Sequence, residues 1–149
     1  MNNEKFVRVR TGSSHILVPI EYVEEVIADP KIAKLPHVSS CIRGLINVHG
    51  QFYPVLDCGC ICGKDSTNMS SKSVVLLLSN GSQQIGALVD DLVSIVADSE
   101  YTDALEQAGS NTKPQVNMRP ELFTMELPIG LILDMGKLIT TSNELLQTA

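Results

Sequence analysis

A chain of 149 residues with 44% hydrophobic side chains is sized for one compact domain, burying roughly 68–70% of its unfolded surface. Its net charge of −6 is unevenly carried: residues 1–72 hold eight Lys/Arg against seven Asp/Glu, and residues 73–149 hold three against ten. This acidity excludes nucleic acid as a partner, because such binding needs clustered cations to replace phosphate counterions. Apolar runs such as Val74–Leu78 are too short to span a bilayer, and the N-terminus MNNEKFVRVR lacks the apolar core of a signal peptide. A cytoplasmic protein without direct membrane insertion is expected, its core built from Val, Ile and Leu because Trp is absent and aromatics make up 4%.

In chain order, Val7 and Val9 alternate with Arg8 and Arg10 as a half-buried strand requires, and Thr11-Gly12 turns the chain into a second strand, His15–Ile20. Val23–Ile27 follows an acidic turn at Glu21-Tyr22. Pro30–Val38 carries two prolines and reads as an ordered loop or sheet edge. Leu45–His49, a turn at Gly50-Gln51 and Phe52–Leu56 form a second hairpin ending at Asp57. Val74–Leu78 does not alternate, so both of its faces should be covered, which predicts contact between two lobes. Asn80-Gly81 then marks a hairpin turn in which both residues tolerate positive φ. Leu92–Val96 is a further strand. In the polar linker Ser99–Met118, Thr102–Ala108 can form a short helix and the remainder is expected to be mobile. A last apolar stretch, Met135–Leu146, reads as helix.

The chain repeats itself. Phe6–Ile27 lies over Val75–Val96 without a gap at an offset of 69, and Gly44–Gly59 lies over Glu121–Gly136 at an offset of 77. Two copies are too few for a solenoid, so a paired, pseudo-symmetric body is expected. Each copy supplies about five short strands and a turn of helix. The expected fold is all-β: two five-stranded barrels with short helices, lobe one near residues 5–72 and lobe two near 73–149, within one domain of residues 1–149.

The repeat also weighs candidate chemistry. Cys58, Cys60 and Cys62 lack the C-x-x-C spacing of zinc knuckles and redox sites. Their counterparts are Met135, Lys137 and Ile139, so Cys58 and Cys62 fall where the second copy is apolar, and buried cysteine behaves as a small hydrophobe. With Cys41 they are expected to stay reduced. His15, His37 and His49 are scattered, and no nucleophile elbow, zinc-protease or phosphate-loop motif is present. Asp57 and Asp134 sit where a strand meets a helix and suit helix N-caps. No catalysis, cofactor or metal is expected. The competing reading is a metal- or thiol-dependent enzyme using Cys58, Cys60 and Cys62.

Ile42–Asp57 (IRGLINVHGQFYPVLD) resembles the hairpin of the CheW-like domain, in which R/K-G-x-x-N-x-R-G leads into an apolar strand ending in V-[IV]-D. Val23-Glu24-Glu25-Val26 is similar to that family's V-x-E-[IV] segment, and Gln84–Asp91 to its I-G-L-x-V-D element, so the likeness spans about residues 5–140. The resemblance implies two intertwined SH3-like barrels, with the terminal strand able to cross between lobes. It also implies a non-catalytic cytoplasmic adaptor that couples the cytoplasmic tips of chemoreceptors (methyl-accepting proteins) to the regulatory domain of a CheA-type histidine kinase. Carried over by position, the partner-binding residues are Val23, Glu25, Ile42, Arg43, Gly44, Asn47, His49, Leu88 and Val89. His49 replaces the second arginine of the family hairpin, which suggests a divergent member belonging to a pilus (twitching-motility) system. A CheW-like module with a non-kinase partner is the remaining alternative.

Overall fold

The computed structural model describes residues 6–36, 38–62, 66–109 and 122–147. His37 and the linker beyond Gly109, where mobility was expected, lie outside the described residues. The strands are β1 (Phe6–Thr11), β2 (Ser14–Pro19), β3 (Val23–Ala28), β4 (Ile32–Ala33), β5 (Ile42–Val48), β6 (Gln51–Asp57), β7 (Val74–Ser79), β8 (Gln84–Val89), β9 (Asp91–Val96), β10 (Phe123–Leu127) and β11 (Gly130–Leu133). Three helices join them: α1 (Cys58–Ile61), α2 (Asp98–Ala108) and α3 (Met135–Gln147).

The strands form two sheets, ordered β10-β11-β2-β1-β9 and β3-β7-β8-β6-β5-β4. The orders β10-β11-β2-β1-β9 and β5-β6-β8-β7-β3 are equivalent under the repeat, and β4 is the one addition. Register follows the repeat as well. Phe6 faces Pro19 as Val75 faces Leu88, and the parallel pair Leu17–Ile132 corresponds to Gly86–Val55. Each copy, however, gives its first hairpin to the other copy's sheet. Residues 5–72 and 73–149 therefore each supply strands to both sheets, and the division between sheets is not the division of the sequence. The physical reason is the parallel seam: β2 finds its neighbour in β11, and β8 in β6, so each sheet closes only with strands from both copies.

That exchange explains the apolar run of β7, whose residues Val74–Leu78 are all buried. Val75 and Leu77 point into a core inside the second sheet with Ile46, Val48, Val55 and Leu88. Val74, Leu76 and Leu78 point the other way, into the largest core, which joins Val7, Val9, Ile16 and Val18 of the first sheet to α1 and α3. A third core lies under α2, where Ala104 meets Phe6, Leu17 and Val96. In α3, Met135, Leu138, Ile139 and Ser142 recur at helical spacing and form its buried face. Truncating a fully buried side chain such as Leu76 to alanine costs about 2–5 kcal/mol.

The turns correct several local expectations. The β5–β6 turn is His49-Gly50, with φ of 52° and 87°, one residue earlier than expected. The first hairpin turns at Gly12-Ser13, since Thr11 already pairs with Ser14. Between β7 and β8 the loop runs from Asn80 to Gln83, and of its first two residues only Gly81 has positive φ. Asn80 acts through its side chain instead, Oδ1 accepting from the N–H of Ser82 and of Gln83. In the second copy the β10–β11 turn is Pro128-Ile129, and Ile42 opposite Leu56 corresponds to Phe123 opposite Leu133. The ungapped match is thus correct for β6 and β11 but displaced by four residues on β5 and β10.

Candidate functional site

The residues singled out from sequence divide sharply by burial. Leu88 (0% exposed) and Val89 (1%) are core side chains on opposite faces of β8, and Ile42 (5%) belongs to the core shared by the sheets. These three have no surface to offer a partner, because an inward position on a strand places the side chain in the apolar interior. Gly44 is buried too. Its φ is +144°, and a Cβ there would overlap the Ala33 carbonyl, so this glycine exists to let β4 lie against β5.

Arg43 turns inward. Its Nη1 donates to Asp57 Oδ2 at 3.0 Å and to the Thr67 carbonyl at 2.9 Å, leaving the side chain 28% exposed. Asp57 is completely buried. Beyond Arg43 it accepts from the Thr67 N–H through both oxygens, from Thr67 Oγ1 at 2.8 Å, and from the Cys60 N–H at 3.1 Å as N-cap of α1. A buried carboxylate is tolerated only when its oxygens are satisfied, and here the Arg43 guanidinium and the Thr67 and Cys60 donors satisfy them. The N-cap role expected for Asp57 and Asp134 is present in both, Asp134 accepting from the Lys137 N–H at 3.1 Å. The cluster with Arg43 and Thr67 was missed. Its signal lay in the broken symmetry, since the structural counterpart of Arg43 is Thr124.

What remains on the surface is one coherent face of the second sheet. His49 (80% exposed) stands at the β5–β6 turn and its Nε2–H donates to Glu25 Oε1 on β3 at 2.9 Å. That contact brings an edge strand of the sheet to the hairpin tip. Asn47 is exposed, and its Oδ1 accepts from the Gly50 N–H, fixing the turn. Val23 is half-buried at the start of β3, against the shared core. Close in sequence is Phe52, 62% exposed on β6, the largest apolar side chain presented to solvent and one that sequence reasoning did not single out. Where β4 meets β5, Pro30, Lys31, Ile32, Lys34, Arg43 and Met69 line an open groove of about 470 Å³ with an apolar floor and a cationic rim.

The cysteines separate into two pairs. Cys58 and Cys62 face the shared core, as the apolar counterparts of the second copy indicate. Burial, together with the neighbouring Cys62, Asp57 and Asp90, pushes the Cys58 thiol well above its ordinary range. Cys41 and Cys60, expected to be reduced, are joined by a disulfide. The expectation failed because adjacency in sequence carried the cluster Cys58–Cys62, whereas Cys41 reaches Cys60 only through the return of the β5–β6 hairpin. Among the described residues no group of three or more His, Cys, Asp or Glu could hold a metal ion, and no helix is long and apolar enough to cross a membrane.

Comparison with known proteins agrees with this geometry. The family described as "CheW-like domain" matches residues 5–142, which takes in both sheets. "Protein PilI" of Pseudomonas aeruginosa is 26% identical over 83 residues, covering 56% of this chain and 47% of that protein. "Chemotaxis protein CheW" of Rhizobium meliloti is 24% identical over 96 residues, covering 64% of this chain and 62% of that one. The matched segments thus span about half to three-fifths of these relatives. The crystal structure of the scaffolding protein TtCheW from Thermoanaerobacter tengcongensis superposes with a TM-score of 0.69 at 22% identity, covering 89% of this chain and 88% of that one, and shows the same fold.

Proposed function

Because the chain belongs to the CheW-like domain family, whose members are non-catalytic scaffolds, we propose that it is an adaptor coupling a CheA-type histidine kinase to the cytoplasmic tips of chemoreceptors. The likeness to PilI favours a pilus-motility system over a flagellar one. The observation that carries the reading is a family match running through both interleaved sheets.

The geometry supports a contact face made of Glu25, Asn47 and His49 with Phe52 beside them, Val23 adding apolar area at the start of β3. An exposed aromatic next to a polar rim is the usual composition of a binding hot spot. Arg43 and Gly44 serve this face by shaping it: Arg43 fixes the start of β5, and Gly44 admits β4. The α2 side of the first sheet, rich in carboxylates (Asp98, Glu100, Asp103, Glu106), offers a different surface for a second partner.

The test is isothermal titration of the purified chain against the kinase regulatory domain and, separately, against a receptor-tip fragment. Wild type should bind both, and His49→Ala and Phe52→Ser should weaken one of them by roughly 5–50-fold while leaving the fold intact. Absence of binding to both partners would remove the adaptor reading. Receptor binding without kinase binding would favour a CheW-like module that serves another partner.

A further inference from the structure

We propose that Cys41 and Cys60 are a reversible redox pair, a thiol-modification site that locks or releases the edge of the second sheet. The pair has no counterpart in the other copy. Cys60 corresponds to Lys137, and Cys41 to the buried Leu122, as their carbonyls show: Asp57 N–H donates to the Cys41 carbonyl and Asp134 N–H to the Leu122 carbonyl, each at 2.8 Å. An otherwise conserved plan has therefore been altered at two positions that meet in space, with Cα atoms 5.2 Å apart.

Its neighbours give the bond its leverage. β4 is only two residues long and is held by the pairs Ile32–Ile46 and Ala33–Leu45. The connection from β4 to β5 ends at Cys41, and the disulfide ties that end to α1. Cys60 itself donates its N–H to Asp57, so the bond adjoins the Arg43–Asp57–Thr67 cluster and the groove lined by Lys31, Ile32 and Lys34. Cys41 and Cys60 are half-buried and within reach of small reagents. Cys62 is in the core and Cys58 packs against it, whereas Cys41 and Cys60 are the two cysteines of this cluster that meet.

The oxidant is a hydroperoxide. One thiolate attacks the peroxide oxygen, forming a sulfenic acid and releasing an alcohol, or water when the oxidant is hydrogen peroxide. The second thiol then displaces water to form the S–S bond. Two electrons leave the sulfurs for the O–O bond, and both thiol protons end on the released alcohol and water. A dithiol reductant reverses the step through a mixed disulfide. In a compartment that keeps thiols reduced, a half-exposed disulfide of this kind is a sensing element, not a permanent staple; that setting rests on the cytoplasmic adaptor reading, whereas the chemistry does not.

Purified full-length chain, reduced with a phosphine and then treated with hydrogen peroxide, should yield a Cys41–Cys60 linked peptide by mass spectrometry. Trypsin should cut after Lys34 at least about tenfold faster in the reduced form, because opening the tether frees the β4–β5 connection. Cys41→Ser and Cys60→Ala should each cut fast under both conditions, and Cys58→Ser should retain the redox difference. Circular dichroism of the reduced wild type separates local release from global unfolding without depending on any variant. Equal cleavage of the two wild-type forms, global unfolding on reduction, or no linked peptide would each overturn the proposal. None of these readouts involves a kinase or receptor, so failure here leaves the adaptor reading standing.

Discussion

Replacing Arg43 with methionine removes the only cation that touches Asp57 among the described residues while keeping an unbranched stem out to the position of Nε. Breaking a buried ion pair by deleting one partner costs about 3–5 kcal/mol, because the charge left behind is uncompensated. Two features reduce that figure here. Arg43 is 28% exposed, so water can reach the vacated position, and Asp57 keeps the donors Thr67 N–H, Thr67 Oγ1 and Cys60 N–H. The expected loss is about 2–3 kcal/mol, or about 5–10 °C in Tm for a chain of this size. Urea unfolding followed by circular dichroism measures it, and a double-mutant cycle with Asp57→Asn should return a coupling above about 1 kcal/mol. If Arg43→Met shifts the midpoint by less than the equivalent of about 0.5 kcal/mol yet loses partner binding, Arg43 is a contact residue and the inward pairing is wrong. The same reasoning warns against Arg43→Glu as a binding test, since it places a second carboxylate against Asp57 and unfolds the site it is meant to probe.

Gly44→Ala should destabilise by about 2–4 kcal/mol through its φ of +144° and the clash with the Ala33 carbonyl, whereas Gly12→Ala, with positive φ but open space around it, should cost about 1 kcal/mol, both by chemical denaturation. Asp134→Ala should cost about 1 kcal/mol as a simple N-cap loss, and Asp57→Ala clearly more. The pH dependence has a defined contributor in His15: burial, and then Arg8 and Arg10, lower its pKa from the ordinary 6.5. The folded state therefore resists a proton that the unfolded chain accepts, so stability is full above about pH 6.5 and falls as pH drops through that value toward the folded pKa. His15→Gln should flatten the difference in urea midpoint between pH 7.5 and 5.5; an unchanged difference would refute the assignment. Phe52→Ser should change stability by less than about 0.5 kcal/mol, since its side chain is mostly in water.

Much of the body was legible because the repeat gave every residue a comparison. It identified the matching N-caps and the core-facing Cys58 and Cys62, while local pattern gave the doubly covered β7 and the helix at 135–146. Local pattern could not show which copy's strands lie side by side, since alternation records that a face is buried and not what covers it. Arg43 shows the same limit at the scale of one side chain. In sequence it sits in a hairpin whose resemblance suggests an outward contact, and only the fold brings Thr67 and Asp57 to its guanidinium. Phe52 was passed over because a single aromatic in a strand pattern reads as core, and its exposure depends on which face β4 and β5 leave open.

The exchange of hairpins between the sheets has a consequence for how the chain is made. While the protein is being synthesised, β3 and β6 wait for β7 and β8, which lie between them in their sheet, and β2 waits for its parallel neighbour β11, which ends at Leu133. All strands of the second sheet are present once Val89 has been made, whereas the first sheet is complete only at Leu133. Each half of the chain lends its first hairpin to the sheet of the other, the arrangement of a swapped dimer carried on a single chain. A cut between β6 and β7 should therefore give two fragments that fold only when mixed, a gain of circular dichroism signal on mixing being the check.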